Sequence, residues 1–187
     1  DEVSGGGGFD KLQVLFFGGN EGSVATDGIQ MTLASNKRDG TIAAGTDRVT
    51  FKGIEQLSIY GTAFNDTLLG GSGDDVFDGS GLGGNDYYDG GSGNDTLSAF
   101  SFGDIFGSST LIGGDGNDAL STGGFNSGNH RLEGGSGDDT LFVGSSIGND
   151  ILLGGTGNDM LTGVEGTNTL DGGDNDENKV GQRIHID

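Results

Sequence analysis

Apolar residues recur singly along this chain instead of in runs. Phe77, Leu97, Leu120, Leu141 and Leu161 each stand in the middle of a three-residue stretch, and Leu68, Tyr88, Leu111, Leu132, Leu152 and Leu170 form a second set interleaved with the first. One inward residue between two outward ones is the alternation of a very short β-strand. The two sets alternate in sequence, so the pattern predicts two columns of short strands. Upstream, Val49, Phe51, Leu57 and Ile59 keep a strand-like alternation.

The segments between these strands are of two kinds. Each strand of the first set follows a near-identical hexapeptide: GGSGDD at Gly70–Asp75, GGSGND at Gly90–Asp95, GGDGND at Gly113–Asp118, GGSGDD at Gly134–Asp139 and GGTGND at Gly154–Asp159. The loops before the second set are irregular, ending at Asp66, Asp86, Ser109, His130, Asp150 and Asn168. Closing aspartates of the regular turns are spaced by 20, 23, 21 and 20 residues, and a further 18 reach Glu177, where the turn has decayed to GGDNDE. One coil is therefore an 18-residue double unit, with all insertions on one side.

Stacking such coils places parallel strands about 4.8 Å apart around a thin core. The predicted fold is all-β, a parallel β-roll, that is, a β-helix solenoid of short strands joined by glycine-rich turns. Gly5–Gln13 (GGGGFDKLQ) fits the same nine-residue unit, so residues 1–60 read as an N-terminal extension with longer turns. Residues 61–187 read as the repeat roll with a C-terminal capping segment, the two forming one continuous solenoid domain. Lys179 falls at a position that is apolar in every earlier unit, so the ladder is expected to stop near there, with Gln182–Asp187 either forming a closing strand or fraying.

Composition narrows the chemistry. Glycine supplies 43 residues while proline, cysteine and tryptophan are absent, which excludes a collagen-like origin, a disulfide framework and a thiolate metal site. Twenty-nine acidic residues against 8 basic ones give a net charge of -21, which repels nucleic-acid phosphates and anionic membrane surfaces. No apolar run approaches the ~20 residues of a membrane helix. The start at Asp1 is not a secretory signal.

Three glycines in six residues let a turn fold its carbonyl oxygens toward a common point, because glycine accepts positive φ without steric cost. Stacked coils bring successive aspartates together, and that repeated like charge calls for a cation. Carboxylates plus carbonyls in a flexible loop suit calcium's six to eight oxygen ligands; magnesium prefers a tighter octahedron. A thin core, many glycines and a self-repelling charge predict that the array is largely disordered without metal.

The pattern GGxGxDxUx, with U apolar, resembles the RTX or hemolysin-type calcium-binding repeat over at least Gly61–Asp171. The resemblance implies calcium between equivalent turns of successive coils, bound by turn carbonyls and the closing aspartate. Carried onto the matching positions, the implied ligands are Gly71, Gly73 and Asp75; Gly91, Gly93 and Asp95; Gly114, Gly116 and Asp118; Gly135, Gly137 and Asp139; and Gly155, Gly157 and Asp159. About four to five ions in the regular column follow from that assignment. The irregular turns depart from the pattern at Ser109, His130 and Asn168, and the last turn departs at Asn175 and Glu177. Whether Asp66, Asp86 and Asp150 bind further ions stays open.

The resemblance also implies a bacterial protein exported by type I secretion machinery, folding on calcium outside the cell and serving as a structural, secretion-assisting part of a larger protein. The terminal QRIHID does not match the family's secretion signal, and with the start at Asp1 it reads as a fragment. Phe64, Phe100, Phe102, Phe106 and Phe125 all lie in irregular loops. They read as apolar cover for the flank without calcium, or alternatively as the surface of an adhesin that takes a glycan or protein ligand. No enzyme is indicated: His130 and His185 are isolated, and neither HExxH nor GxSxG occurs. The outward positions of one sheet mix Thr67, Tyr87, Arg131 and Ile151, unlike the flat threonine array of an ice-binding face.

Overall fold

The structure is a computed structural model and describes residues 1–15, 27–79, 83–101, 107–124, 128–174 and 179–182. Among these residues there are eighteen strands and no helix. One sheet has ten strands, in the spatial order Glu2–Ser4, Asp47–Lys52, Gly40–Ala44, Ile29–Leu33, Thr67–Leu69, Tyr87–Ser92, Thr110–Asp115, Arg131–Ser136, Ile151–Thr156 and Thr169–Asp171. The other has eight, running from Lys11–Leu15 through Gln56–Tyr60, Val76–Asp78, Thr96–Ser101, Ala119–Gly124, Thr140–Val143 and Met160–Gly163 to Lys179–Gln182.

The chain crosses from one sheet to the other at every turn of the repeat, so each coil contributes one strand to each sheet. All pairings from Thr67 onward are parallel, which makes this region the parallel β-roll expected from the sequence. Register is set by the inward residues. Leu68, Tyr88, Leu111, Leu132, Leu152 and Leu170 stand opposite one another across six neighbouring strands. Ile59, Phe77, Leu97, Leu120, Leu141 and Leu161 do the same in the second sheet. The two rows meet as a single file of side chains, fully buried except for the half-covered Leu170 at its end.

Lys179 does not take the register position of the inward row. It stands opposite Met160, which is 48% exposed, and Val180 takes the position opposite Leu161. The segment from Leu161 to Val180 is one residue longer than the 18-residue unit, and in a strand a slip of one residue exchanges the two faces. The second sheet therefore continues through Lys179–Gln182; residues 183–187 lie outside the described residues.

The first sixty residues combine both pairing modes. Lys11–Leu15 pairs in parallel with Gln56–Tyr60, whereas Ile29–Leu33, Gly40–Ala44 and Asp47–Lys52 form an antiparallel meander at the head of the first sheet. The Gly5–Asp10 turn repeats the left-handed glycines of the later turns, at Gly6 (φ 93°) and Gly8 (φ 124°). Lys11 pairs with Gln56, so Asp10 lies beside Glu55, and Leu12 and Val14 are inward as Leu97 and Ala99 are in the repeats.

Candidate metal centre

The regular turns stack into one column along an edge of the roll. In the turns Gly90–Asp95, Gly113–Asp118, Gly134–Asp139 and Gly154–Asp159, the second glycine has φ between 94° and 114° and the fourth residue, also glycine, between 121° and 130°. Only glycine takes these angles readily. The left-handed glycines aim carbonyl oxygens at the next coil: a Cβ added to Gly114 would strike the carbonyl oxygen of Gly91, and one added to Gly116 that of Gly93. The same relation joins Gly135 to Gly114, Gly137 to Gly116, Gly155 to Gly135 and Gly157 to Gly137. Two files of carbonyl oxygens thus run along the column.

The closing aspartates form a third file. Oδ1 of each accepts the backbone N–H of the closing aspartate one coil earlier: Asp75 to Asp95 at 2.7 Å, Asp95 to Asp118 at 2.7 Å, Asp118 to Asp139 at 2.8 Å and Asp139 to Asp159 at 2.9 Å. Oδ2 points back over the first glycine of its own turn. At Asp95, Asp118 and Asp139 this second oxygen is buried without a hydrogen-bond donor. Desolvation, reinforced by neighbouring carboxylates, pushes Asp95 and Asp139 up to about 7, and burial raises Asp118 as well. At Gly113 and Gly134 the donor-free Oδ2 of Asp118 and Asp139 shares its surroundings with the first-glycine carbonyl of the next turn, two acceptors whose proximity a cation would relieve.

The donor set fits calcium. It is made only of oxygen, it comes from backbone and carboxylate together, and its spacing is set by flexible glycine turns. Among the described residues no three His, Cys, Asp or Glu side chains converge on one point, so carbonyls must complete any cage. The first regular turn is built differently. Gly71 and Gly73 are not left-handed, and Asp75 places Oδ2 on the N–H of its own Gly71 at 2.7 Å and Oδ1 on the N–H of Leu57 at 2.6 Å. Asp75 is raised to about 6 by burial. Of the fifteen residues singled out in the sequence, the structure gives twelve one common geometry and sets Gly71, Gly73 and Asp75 apart.

The irregular turns form a second column on the opposite edge with the same hydrogen-bond logic and different residues. The N–H of Asp66 donates to Asp86 Oδ1 at 3.1 Å, that of Asp86 to Ser109 Oγ at 3.3 Å, and that of Ser109 to His130 Nδ1 at 3.2 Å. The N–H of His130 donates to Asp150 Oδ1 at 2.8 Å, and that of Asp150 to Asn168 Oδ1 at 3.1 Å. Ser109, His130 and Asn168 thus supply the one acceptor the ladder requires without supplying a second anionic oxygen. Burial lowers His130 to about 4, leaving the ring neutral with Nδ1 as acceptor. Asp66 is satisfied within its own turn by the N–H of Thr62 at 2.7 Å and its hydroxyl at 2.8 Å. The carboxylate of Asp150 is buried, with the Ser146 hydroxyl as a hydrogen-bonding neighbour.

One layer of the column was not singled out in the sequence. The residue before each closing aspartate accepts the N–H of its counterpart one coil later, through Asp74, Asn94, Asn117 and Asp138 in turn, at 2.7 to 2.8 Å. Asn65, Asn85, Ser108 and Asn129 do the same on the irregular edge, at 2.8 to 3.0 Å. The signal was present, since every regular turn carries Asn or Asp at this place.

This is the geometry of a parallel solenoid whose turns stack in register along two edges. The RTX calcium-binding nonapeptide repeat family matches in four copies, over residues 60–97, 106–128, 126–146 and 144–176, together more than half of the chain. The chain belongs to this family, and its roll is a calcium-binding module of a structural kind. Among curated proteins none matches the chain.

Proposed function

We propose that calcium held along the regular column folds this roll after export, and that the roll serves as a structural, secretion-assisting part of a larger type I secreted bacterial protein. The observation that carries the reading is the bare, buried Oδ2 of Asp95, Asp118 and Asp139 beneath files of glycine carbonyls. Ligands in this reading are the carbonyls of Gly91, Gly93, Gly114, Gly116, Gly135, Gly137, Gly155 and Gly157 with Asp95, Asp118, Asp139 and Asp159. Gly71, Gly73 and Asp75 complete the set at the head of the column. Calcium supplies positive charge and an irregular oxygen shell; the chain supplies spacing, orientation and shelter from water. Because such sites are absent from an unfolded chain, binding free energy becomes folding free energy. A chain unfolded at low cytoplasmic calcium is suited to export, and the extracellular space is where it would fold. In this reading residues 1–60 and 61–187 form one continuous domain, the parallel roll beginning where the antiparallel meander ends.

A calorimetric calcium titration of the chelated protein, with circular dichroism in parallel, tests the proposal. About four or five ions with a cooperative gain of strand signal are expected, one for each carbonyl-and-carboxylate gap between turns. A strand signal unchanged by excess chelator overturns it.

A second reading, a ligand-binding face, draws on Phe100 and Phe142. Their rings lie 6.1 Å apart on the outer side of the second sheet, and Phe142 is 36% exposed. Phe64 is 39% exposed, while Phe102, Phe106 and Phe125 lie outside the described residues. Binding of a glycan array or surface protein that is lost in Phe142→Ala would favour this reading.

A further inference from the structure

The head of the regular column is made of different parts from its body. Along the body, each turn's glycines face carbonyl oxygens of the turn before. At the head, the carbonyls facing Gly71 and Gly73 belong to Lys37 and Glu55, which come from two separate segments. Lys37 lies at the tip of the hairpin joining Ile29–Leu33 to Gly40–Ala44, and among the described residues it is the one non-glycine with positive φ, 54°. A side-chain-bearing residue with positive φ thus stands where the later turns use glycine.

Glu55 plays the carboxylate part. Its Oε2 accepts the N–H of Asp10 at 2.8 Å, the bond that Asp118 takes from Asp95 further along. Its Oε1 is buried and paired with the guanidinium of Arg38. The hybrid turn is tied together by the N–H of Ile54 on the Arg38 carbonyl at 2.9 Å and the N–H of Gly53 on Asp39 Oδ1 at 2.8 Å.

Charge and core divide at the same place. Residues 1–60 hold five of the 8 basic residues, Lys11, Lys37, Arg38, Arg48 and Lys52, against eight acidic ones. Residues 61–174 hold Arg131 alone against eighteen acidic ones. The head also has the denser apolar core, with Ile29, Met31, Ile42, Phe51, Leu57 and Ile59 all buried. Self-repulsion and a thin core, the two reasons for the repeats to need metal, are both weak here.

We propose that the antiparallel meander with its flanking parallel strands is a calcium-independent cap, in which Arg38 supplies the positive charge that an ion supplies along the body. Lys37 and Glu55 then present a preformed half-turn on which Gly70–Asp75 assembles. The proposal rests on the reading that calcium folds the repeats.

Hydrogen exchange of the full chain in excess chelator, read by mass spectrometry, tests it. Amides in Ile29–Leu33 and Gly40–Tyr60 are expected to exchange about 100-fold more slowly than those in Thr96–Thr162. Equally fast exchange in both regions overturns the cap, whereas slow exchange in both overturns the calcium reading and the division built on it. Arg38→Gln is expected to speed exchange of Gly40–Tyr60 in chelator about tenfold, with recovery in Arg38→Lys. In calcium the same variant should keep the protection of Leu111–Leu161, which shows that it folds. Unchanged protection in chelated Arg38→Gln overturns the role of Arg38.

Discussion

The backbone N–H of Asp95 is bonded to Oδ1 of Asp118, 23 residues later in the chain, at 2.7 Å. One oxygen of Asp95, Asp118, Asp139 and Asp159 is thereby committed to the preceding coil. In the proposed calcium reading the other oxygen meets the cation, so that structural and metal-binding roles fall to two atoms of a single side chain, and substitutions can separate them.

Asp118→Asn keeps an oxygen for the Asp95 N–H and removes the charge. Calorimetry is expected to show the loss of at least one calcium ion and a midpoint raised about tenfold, in line with the ~1.4 kcal/mol that corresponds to a decade in binding. Asn117→Ala removes the neighbouring rung to the Asp138 N–H and should keep the ion count. Equal ion loss in both variants would contradict the division of labour.

Gly116→Ala places a methyl group where the Gly93 carbonyl stands and imposes φ 130° on an L-residue. The strained backbone alone costs on the order of 1–3 kcal/mol. The calcium concentration at half-folding, followed by circular dichroism, should rise by more than an order of magnitude. Ser136→Ala, on the exposed rim of the next turn, should stay within about 0.5 kcal/mol of the parent.

Leu132 is fully buried between Leu111 and Leu152 in the single-file core. Leu132→Ala is expected to cost about 2–4 kcal/mol, measured as a drop in the urea midpoint at saturating calcium. Solenoid coils touch only their neighbours, so hydrogen exchange should rise most in the adjoining coils.

His130 gives the irregular edge a pH dependence. Burial lowers it to about 4 in the folded chain, below the ordinary histidine value of about 6.5, so the folded chain binds fewer protons between these values. Its stabilising contribution is complete above pH ~6.5 and is lost as pH falls toward ~4, about 3 kcal/mol across the window. The neighbouring Asp150, like Asp66, Asp75, Asp86, Asp95, Asp118 and Asp139, is shifted upward by burial and acts with the opposite sign. The contribution is therefore read as the difference between the parent and His130→Asn in saturating calcium. That difference should widen steadily from pH 4 to 6.5; a flat difference would show the ring is not held neutral.

How much of this was legible in the sequence differs between the two edges. The repeat carries its own alignment, so Leu97 below Asp95 and Leu120 below Asp118 fix strand, face and register at once. The head was harder to read because Lys37 and Glu55 build one turn from residues far apart in the chain, and no local pattern announces that. Gly71 and Gly73 match the motif letter for letter and still fold differently, since the partner beneath them is the hybrid turn. Lys179 was misplaced for a simpler reason: one extra residue in the last coil reverses a strand's faces, and repeat counting does not register it.

The two acceptor files of the regular edge run in opposite senses, the closing aspartates serving the coil before and the penultimate Asn or Asp serving the coil after. Every inner coil therefore presents the same complement of donors and acceptors to either side. If a whole coil is excised, the faces left behind match each other as well as they matched the lost piece. Such an array can gain or lose length in unit steps during evolution without inventing a new joint, and only its head, assembled from Lys37, Arg38 and Glu55, is not interchangeable.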